Sequence, residues 1–231
     1  MWWYRALHAR LADALAGVRG RVLDAGCGTG GLLAVLRAAH PALALTGVEW
    51  SDNAAQRAAE KSGAAIARGS VNALPFAAAS FDAVVAADVL CHRAVDPAAA
   101  LAELHRVLRP GGMLLVNMPA YAWLLSAHDR QVHNVRRWTA GGTAAALRLA
   151  GFTQVRTRYW NGLLLPLMVL QRKLRARNDG AASDVAPFSP WLDATLHAIT
   201  RIERRLPILL PAGGSVLATA IRPPAPEGAH D

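Results

Sequence analysis

The residues best suited to chemistry lie near the start of the chain, in the run VLDAGCGTG at positions 22–30. An apolar stretch passes into glycines and then directly into a Leu- and Ala-rich segment. Glycines permit a tight turn and let a ligand approach the main chain. A helix starting there offers unpaired N–H groups to polar or anionic atoms. Asp24 stands two residues before the first glycine. A second acid, Glu49, ends the next apolar run, at the spacing from which a carboxylate accepts from both hydroxyls of a ribose.

Gly26, Gly28 and Gly31 formally satisfy G-x-G-x-x-G, so a nicotinamide or flavin oxidoreductase is one reading. Asp24 opposes it, because a pyrophosphate beside that acid is repelled whereas an ammonium group is attracted. A ligand with a ribose, an amino-acid ammonium and no phosphate fits the two acids better, and S-adenosylmethionine is such a ligand. Bland readings stand beside this one: Asp24 as a loop cap, Glu49 as an ordinary strand-end acid, Asp88 and His92 as structural residues at a helix start.

The motif VLDAGCGTG resembles the first motif of the class I S-adenosylmethionine-dependent methyltransferases, of the type 11-like kind. GVEWS at 47–51, NALPF at 72–76, FDAVVAADVLCH at 81–92 and LRPGGMLLVNMPA at 108–120 resemble that family's later segments, in the expected order. The stretches AHDRQVHNVRRWT, YWNGLLLPLMVLQRKLR and LPAGGS resemble a bacterial subgroup of it. The resemblance implies S-adenosyl-L-methionine as cofactor. By it, Asp24, Gly26, Cys27, Gly28 and Gly30 hold the methionine part, Glu49 the ribose, and Trp50, Ser70 and Val71 the adenine. Asp88, Val89 and His92 then line the floor near the methyl group. Many relatives carry an acid where this chain has Ser70, so the adenine amino group meets a weaker acceptor here.

Methyl transfer from a sulfonium is an in-line displacement that needs alignment and a dry site, and a base only where the acceptor loses a proton. The candidate base lies after the fifth apolar run: His128 or His133, oriented by Asp129. Tyr121, Arg130 and Arg137 are candidate acceptor contacts, and so is Tyr4 from the N-terminal helix. The histidines are equally suited to binding a phosphate with Arg130, Arg136 and Arg137, or to pinning a lid; no third metal ligand is obvious, so no metal site is expected.

These residues need a scaffold. Apolar runs over 21–25, 43–49, 64–69, 81–88 and 113–118 alternate with helix-like stretches over 31–39, 51–61 and 96–108, the last capped by Asp96 and halted by Pro110-Gly111-Gly112. An irregular segment over 121–138 leads to a helix over 139–150, a half-exposed strand over 152–160 and a last strand over 215–221. The expected fold is α/β: a Rossmann-like seven-stranded, mostly parallel sheet with helices on both faces. A single methyltransferase domain over 1–231 is expected, with a lid helix over 1–17 and a helical cap inserted over 161–214 before the last strand. That cap carries a polar break at 178–183 and a helix over 190–206. The tail over 222–231 is expected to fray.

The chain has 231 residues, is 53% hydrophobic and contains two cysteines, which excludes a mostly disordered chain and a disulfide framework. The start is not a secretion signal, and no apolar stretch is long enough to span a membrane, so a cytoplasmic protein is expected, with contact at a membrane surface left open. Lys and Arg outnumber Asp and Glu 11 to 9 over residues 1–115 and 14 to 7 over 116–231. The basic second half points to an anionic partner, or merely to an arginine-rich surface. The apolar run 163–170 beside Arg172, Lys173, Arg175 and Arg177 suggests an acceptor with apolar and anionic parts, lipid-linked or phosphorylated. A nucleic-acid methyltransferase is disfavoured, since there is no added recognition module and no N/D-P-P-Y/F stretch; a binding protein without catalysis is a further alternative. Oligomeric state is not legible.

Overall fold

The computed structural model describes residues 1–175, 189–206 and 210–224, without the side chains of residues 127, 128 and 171–175. A seven-stranded sheet with the order β3-β2-β1-β4-β5-β7-β6 forms its centre. Its strands are β1 (Arg21–Ala25), β2 (Ala44–Glu49), β3 (Ala65–Arg68), β4 (Phe81–Ala87), β5 (Leu108–Pro119), β6 (Thr153–Trp160) and β7 (Ser215–Ile221). β7 runs antiparallel to both β5 and β6, and the other pairings are parallel. The strands that return in parallel therefore bring their carboxyl ends to one edge, where ligands bind in open α/β sheets.

The near-continuous apolar strands are buried on both faces, as a covered parallel sheet requires. On one face Leu23, Val84, Leu114 and Val116 pack against α4 (Pro97–Val107) and α6 (Ala140–Leu149). On the other, Val22, Val85, Leu115 and Leu217 meet Leu32, Leu33 and Leu36 of α2 (Gly31–Ala39) and Ala58 of α3 (Asp52–Ser62). Leu7, Leu11 and Leu15, from and just after α1 (Trp2–Ala14), are buried in the same cluster. The expected lid is thus largely a core helix; only its first turns, with Trp3, Tyr4 and His8, reach the carboxyl edge.

Some boundaries differ from the sequence reading. Pro110-Gly111-Gly112 do not separate helix from strand: α4 ends at Val107, and β5 starts at once and carries them past a register shift opposite Phe81 and Ala83. The irregular segment 121–138 holds a 3₁₀ turn (Ala122–Leu124) and the short α5 (Ala127–Gln131), pinned by bridges His92–Asn134 and Ala120–Trp138. Between β6 and β7 lie α7 (Leu165–Arg175) and α8 (Pro190–Arg205). Leu164 and Leu196 pack with Trp2 into a small separate cluster. The polar break expected at 178–183, and Arg177, lie outside the described residues.

Candidate active site

The turn after β1 is stitched to the end of β2. Gly26 N and Cys27 N both donate to the Val48 carbonyl, at 2.9 and 3.0 Å, and Gly30 N donates to the Cys27 carbonyl at 3.0 Å. Close packing accounts for two of the glycines. A β-carbon at Gly26 would fall 2.5 Å from Val89 Cγ2, and one at Gly30 would fall 2.7 Å from Ala58 Cα on α3. Gly30 is therefore a packing residue at the α2–α3 contact. Nothing stands within 4 Å of the corresponding position at Gly28, whose backbone faces open space. The Cys27 side chain is buried toward Gly47. Burial, with Asp24 and Glu49 nearby, pushes its thiol up to about 12.

Glu49 Oε2 accepts from Gly28 N and Oε1 accepts from Ser51 N, both at 3.0 Å. Two backbone donors thus fix the buried carboxylate, and each oxygen keeps a further lone pair toward the turn. Asp24 differs. It is buried, no donor among the described residues bonds its carboxylate, and burial followed by the Glu49 charge raises its pKa to about 7. Two buried acids beside an open glycine backbone suit a ligand that brings an ammonium and vicinal hydroxyls, so the residues fit S-adenosylmethionine. Val71 and Val89 form a buried apolar wall with Val48. Trp50 and Ser70 are exposed beside it, and Ser70 Oγ accepts from Asn72 N at 3.2 Å.

Asp88 ends β4 in the left-handed region, at φ +55°. Asn117 of β5 holds it there: Asp88 N donates to the Asn117 carbonyl at 2.8 Å, and Asn117 Nδ2 donates to Asp88 Oδ1 at 2.9 Å. Trp160 Nε1 donates to Asn117 Oδ1 at 2.8 Å. An indole N–H only donates, so the Asn117 amide has one satisfied orientation, with its NH₂ toward Asp88. Burial pushes the Asp88 carboxyl up to about 7, with Asn117 and the Arg137 charge acting against the rise. The Arg10 guanidinium lies 4.6 Å from the Trp160 ring centroid and pairs with Glu203 at 2.9 Å, both side chains being buried. Glu203 in turn accepts from Asn161 N, Gly162 N and Leu163 N at 2.6, 2.8 and 3.0 Å. A continuous buried polar chain thus joins the site floor to α1, α8 and the start of the segment between β6 and β7.

Sequence reading did not single out Asn117, Trp160, Arg10 or Glu203 for the site. The signals were polar residues at apolar places: Asn117 inside LLVNM, Arg10 between Leu7 and Leu11, and Glu203 in register with Leu192, Leu196 and Ile199.

The acceptor side also corrects several expectations. Asp129 does not have a free carboxylate with which to orient a histidine. Its oxygens accept from Arg137 Nη2 at 2.8 and 2.9 Å and from Ser126 N and Oγ at 2.8 and 2.9 Å. Burial opposes its charge, yet Arg137 and Ser126 hold its carboxyl below the ordinary value. Arg137 also donates to the Ala120 carbonyl at 3.0 Å, so the pair braces the segment after β5, and Arg137 is not a free acceptor contact. Arg136 donates to the carbonyls of His92 and Val95 and is likewise structural. Arg130 is exposed.

Tyr121, at φ +57°, stacks on Tyr159 and Trp123 with centroids 5.2 and 5.6 Å apart. Partial burial and then Tyr159 push its phenol up to about 12. His133 is exposed, at φ +58°, and its carbonyl accepts from Arg93 N. Burial and then the His133 charge lower the pKa of His92, which brings these two histidines into one neighbourhood. Tyr4 is brought near Asp88, whose charge, after partial burial, raises its phenol. The side chain of His128 lies outside the described residues.

A family model described as a methyltransferase domain matches residues 23–116. An O-methyltransferase of Aspergillus nomiae is 36% identical over 118 residues, 48% of this chain and 52% of that protein. A ubiquinone/menaquinone biosynthesis C-methyltransferase of Syntrophotalea carbinolica is 37% identical over 130 residues, 52% of this chain and 54% of that one. The chain thus spans about half the length of the curated relatives it matches. Among solved structures, an S-adenosylmethionine-dependent methyltransferase of Thermotoga maritima, described as a possible histamine N-methyltransferase, superposes with a TM-score of 0.62 at 20% identity, covering 95% of this chain and 90% of that one. A geranyl diphosphate methyltransferase gives 0.63 at 18% identity, over 94% and 77%. The solved structures share the fold, and residues 23–116, which include the turn after β1, match the model of a methyltransferase domain.

Proposed function

We propose that the chain transfers a methyl group from S-adenosylmethionine to a small-molecule or lipid-linked acceptor that combines an apolar part with an anionic one. The observation that carries the donor half of this reading is the buried pair Asp24 and Glu49, which no cation among the described residues bonds, with Glu49 held by the N–H of the open Gly28. Asp24 would take the ammonium, Glu49 the ribose hydroxyls, and Trp50 with Val71 and Val89 the adenine. The cofactor supplies an activated methyl on a sulfonium. The protein's own part is to align the acceptor and keep water out.

The acceptor half rests on the chain's charge and on the surface around the site mouth. Tyr4, Trp3 and Trp123 offer aromatic faces, and the second half of the chain is strongly basic. Where the acceptor must lose a proton, His133 beside His92 is the base we assign. His92 has a lowered pKa and is neutral at pH 7. His128 is the alternative. The relatives divide between O- and C-methyltransferases, and both kinds of acceptor are within this reading.

The test is incubation of the protein with methyl-labelled S-adenosylmethionine and separated fractions of bacterial metabolites: apolar anionic, apolar neutral, and water-soluble. Label is expected in the apolar anionic fraction. Label confined to water-soluble neutral compounds, or to added RNA or DNA, contradicts the acceptor half.

A further inference from the structure

The two helices between β6 and β7 turn apolar residues outward. Leu163, Pro166, Leu167 and Leu170 follow the i, i+3, i+4, i+7 spacing of one helical face, and all four are exposed, Leu167 by 51% and Leu170 by 54%. The opposite face of α7 packs inward through Leu164 and Met168, the latter against Gly214 and Asn161. α8 repeats the arrangement. Leu192, Leu196, Ile199 and Glu203 face the interior, while Trp191, Thr195, Ala198 and Ile202 are exposed, Trp191 by 70%. Amphipathic helices of a soluble surface present charge outward; these present leucine, tryptophan and isoleucine.

Among the described residues, the exposed charges of α8 are basic. Asp193 faces Arg5 and the Trp2 amide, and Glu203 is buried on Arg10. The acids of α8 are therefore neutralised within the fold, whereas Arg201 and Arg205 are exposed. α7 contains no acidic residue, and its sequence includes Arg172, Lys173 and Arg175. An exposed apolar stripe with Arg201 and Arg205 exposed on the neighbouring helix complements an anionic lipid bilayer, where apolar side chains enter the acyl boundary and guanidinium groups meet phosphate. No helix among the described residues is long and apolar enough to cross a membrane.

We infer that the exposed faces of α7 and α8 dock the protein on an anionic membrane surface. The position suits the proposed acceptor, and the inference rests on that reading for its purpose alone. Leu164 and Leu196 share a cluster with Trp2, with Trp3 packed against it. Trp3 stacks on Trp160 at 6.0 Å, the residue that holds Asn117. The docking face is thus built on the same side chains that support the site floor, so an acceptor embedded in a leaflet reaches the site from the surface the protein sits on.

Vesicle co-sedimentation of the full chain, without cofactor or acceptor, tests this separately from methyl transfer. Vesicles of phosphatidylcholine with phosphatidylglycerol are expected to bind the protein about tenfold or more tightly than phosphatidylcholine alone. Replacing Leu167→Asp together with Leu170→Asp, at exposed positions, lowers that binding by about tenfold or more. Replacing Arg201→Glu together with Arg205→Glu removes the preference for anionic vesicles and the tightening of binding at low salt. Equal binding to neutral and anionic vesicles, or unchanged binding by both variants, overturns the inference. So does a parent chain that is dimeric in solution and becomes monomeric with the leucine substitutions, because the face is then covered by a second copy.

Discussion

Two pairs of acids near the carboxyl edge of the sheet, Asp129 with Glu203 and Asp24 with Asp88, behave in opposite ways. On the acceptor side, Asp129 and Glu203 each meet an arginine at 2.8 and 2.9 Å and also accept from backbone N–H groups. On the cofactor side, Asp24 and Asp88 meet no cation at that range among the described residues, and burial pushes both carboxyls up to about 7. A buried acid matched by a buried arginine is architecture; one left without a counter-charge is prepared for a cationic partner. The comparison separates the residues that hold the segments around the site from those that meet the ligand.

The largest effect should come from breaking an internal pair. Arg10→Ala leaves Glu203 buried and unpaired, and removing one partner of such a pair costs about 3–5 kcal/mol. Urea unfolding should show that loss, and Arg10→Met with Glu203→Gln should recover a substantial part of it. A loss near zero for Arg10→Ala would erase the distinction between the two regions. Next is the unpaired acid: Asp24→Asn should weaken S-adenosylmethionine binding by about 2–3 kcal/mol, or roughly thirty- to a hundred-and-sixtyfold, while raising the melting temperature of the ligand-free protein at pH 8. Stability and binding thus move in opposite directions at this one position, the signature of a group kept for a ligand.

Proton linkage sharpens the same contrast. The raised carboxyls of Asp24 and Asp88 contribute stability that is fully present below pH 3.8 and is lost as pH rises through about 7. Binding of a cation favours the ionised form, so donor affinity should climb as pH approaches 7, with proton release on binding that calorimetry in buffers of different ionisation heat will reveal. His8 titrates the other way. Burial and then the Lys61 charge lower it from 6.5 to about 4, so its contribution is present above pH 6.5 and is lost as pH falls through 4. Its ring lies over Gly31 at the start of α2, and thermal melts should show α1 loosening in that acid window. The smallest expected effect is Ser70→Asp, which should tighten donor binding by about threefold by giving the adenine amino group a charged acceptor.

The cofactor side was far more legible in the sequence than the acceptor side, for a physical reason. The turn after β1 is specified locally: its glycines, Asp24 and the nearby Glu49 sit within one strand–helix–strand unit, and the apolar runs around them mark the strands. Even there the packing of Cys27 against Gly47 and of Gly30 against Ala58 was not legible, because both are tertiary facts. Arg10 and Glu203 are 193 positions apart, and Asn117 meets Trp160 across β7; no local period encodes such partners. Asp129 was legible as a polar residue in the right place but not as the counter-ion of Arg137, since spacing alone does not distinguish a carboxylate that orients from one that is already bound.

Calorimetric titration of the wild-type chain and of Asp24→Asn with S-adenosylmethionine at pH 8 bears most directly on this division. Saturable one-to-one binding by the wild type, reduced at least tenfold by the substitution while the circular dichroism spectrum is retained, is the expected result. No heat of binding from the folded wild type, or equal affinities for the two proteins, would contradict it.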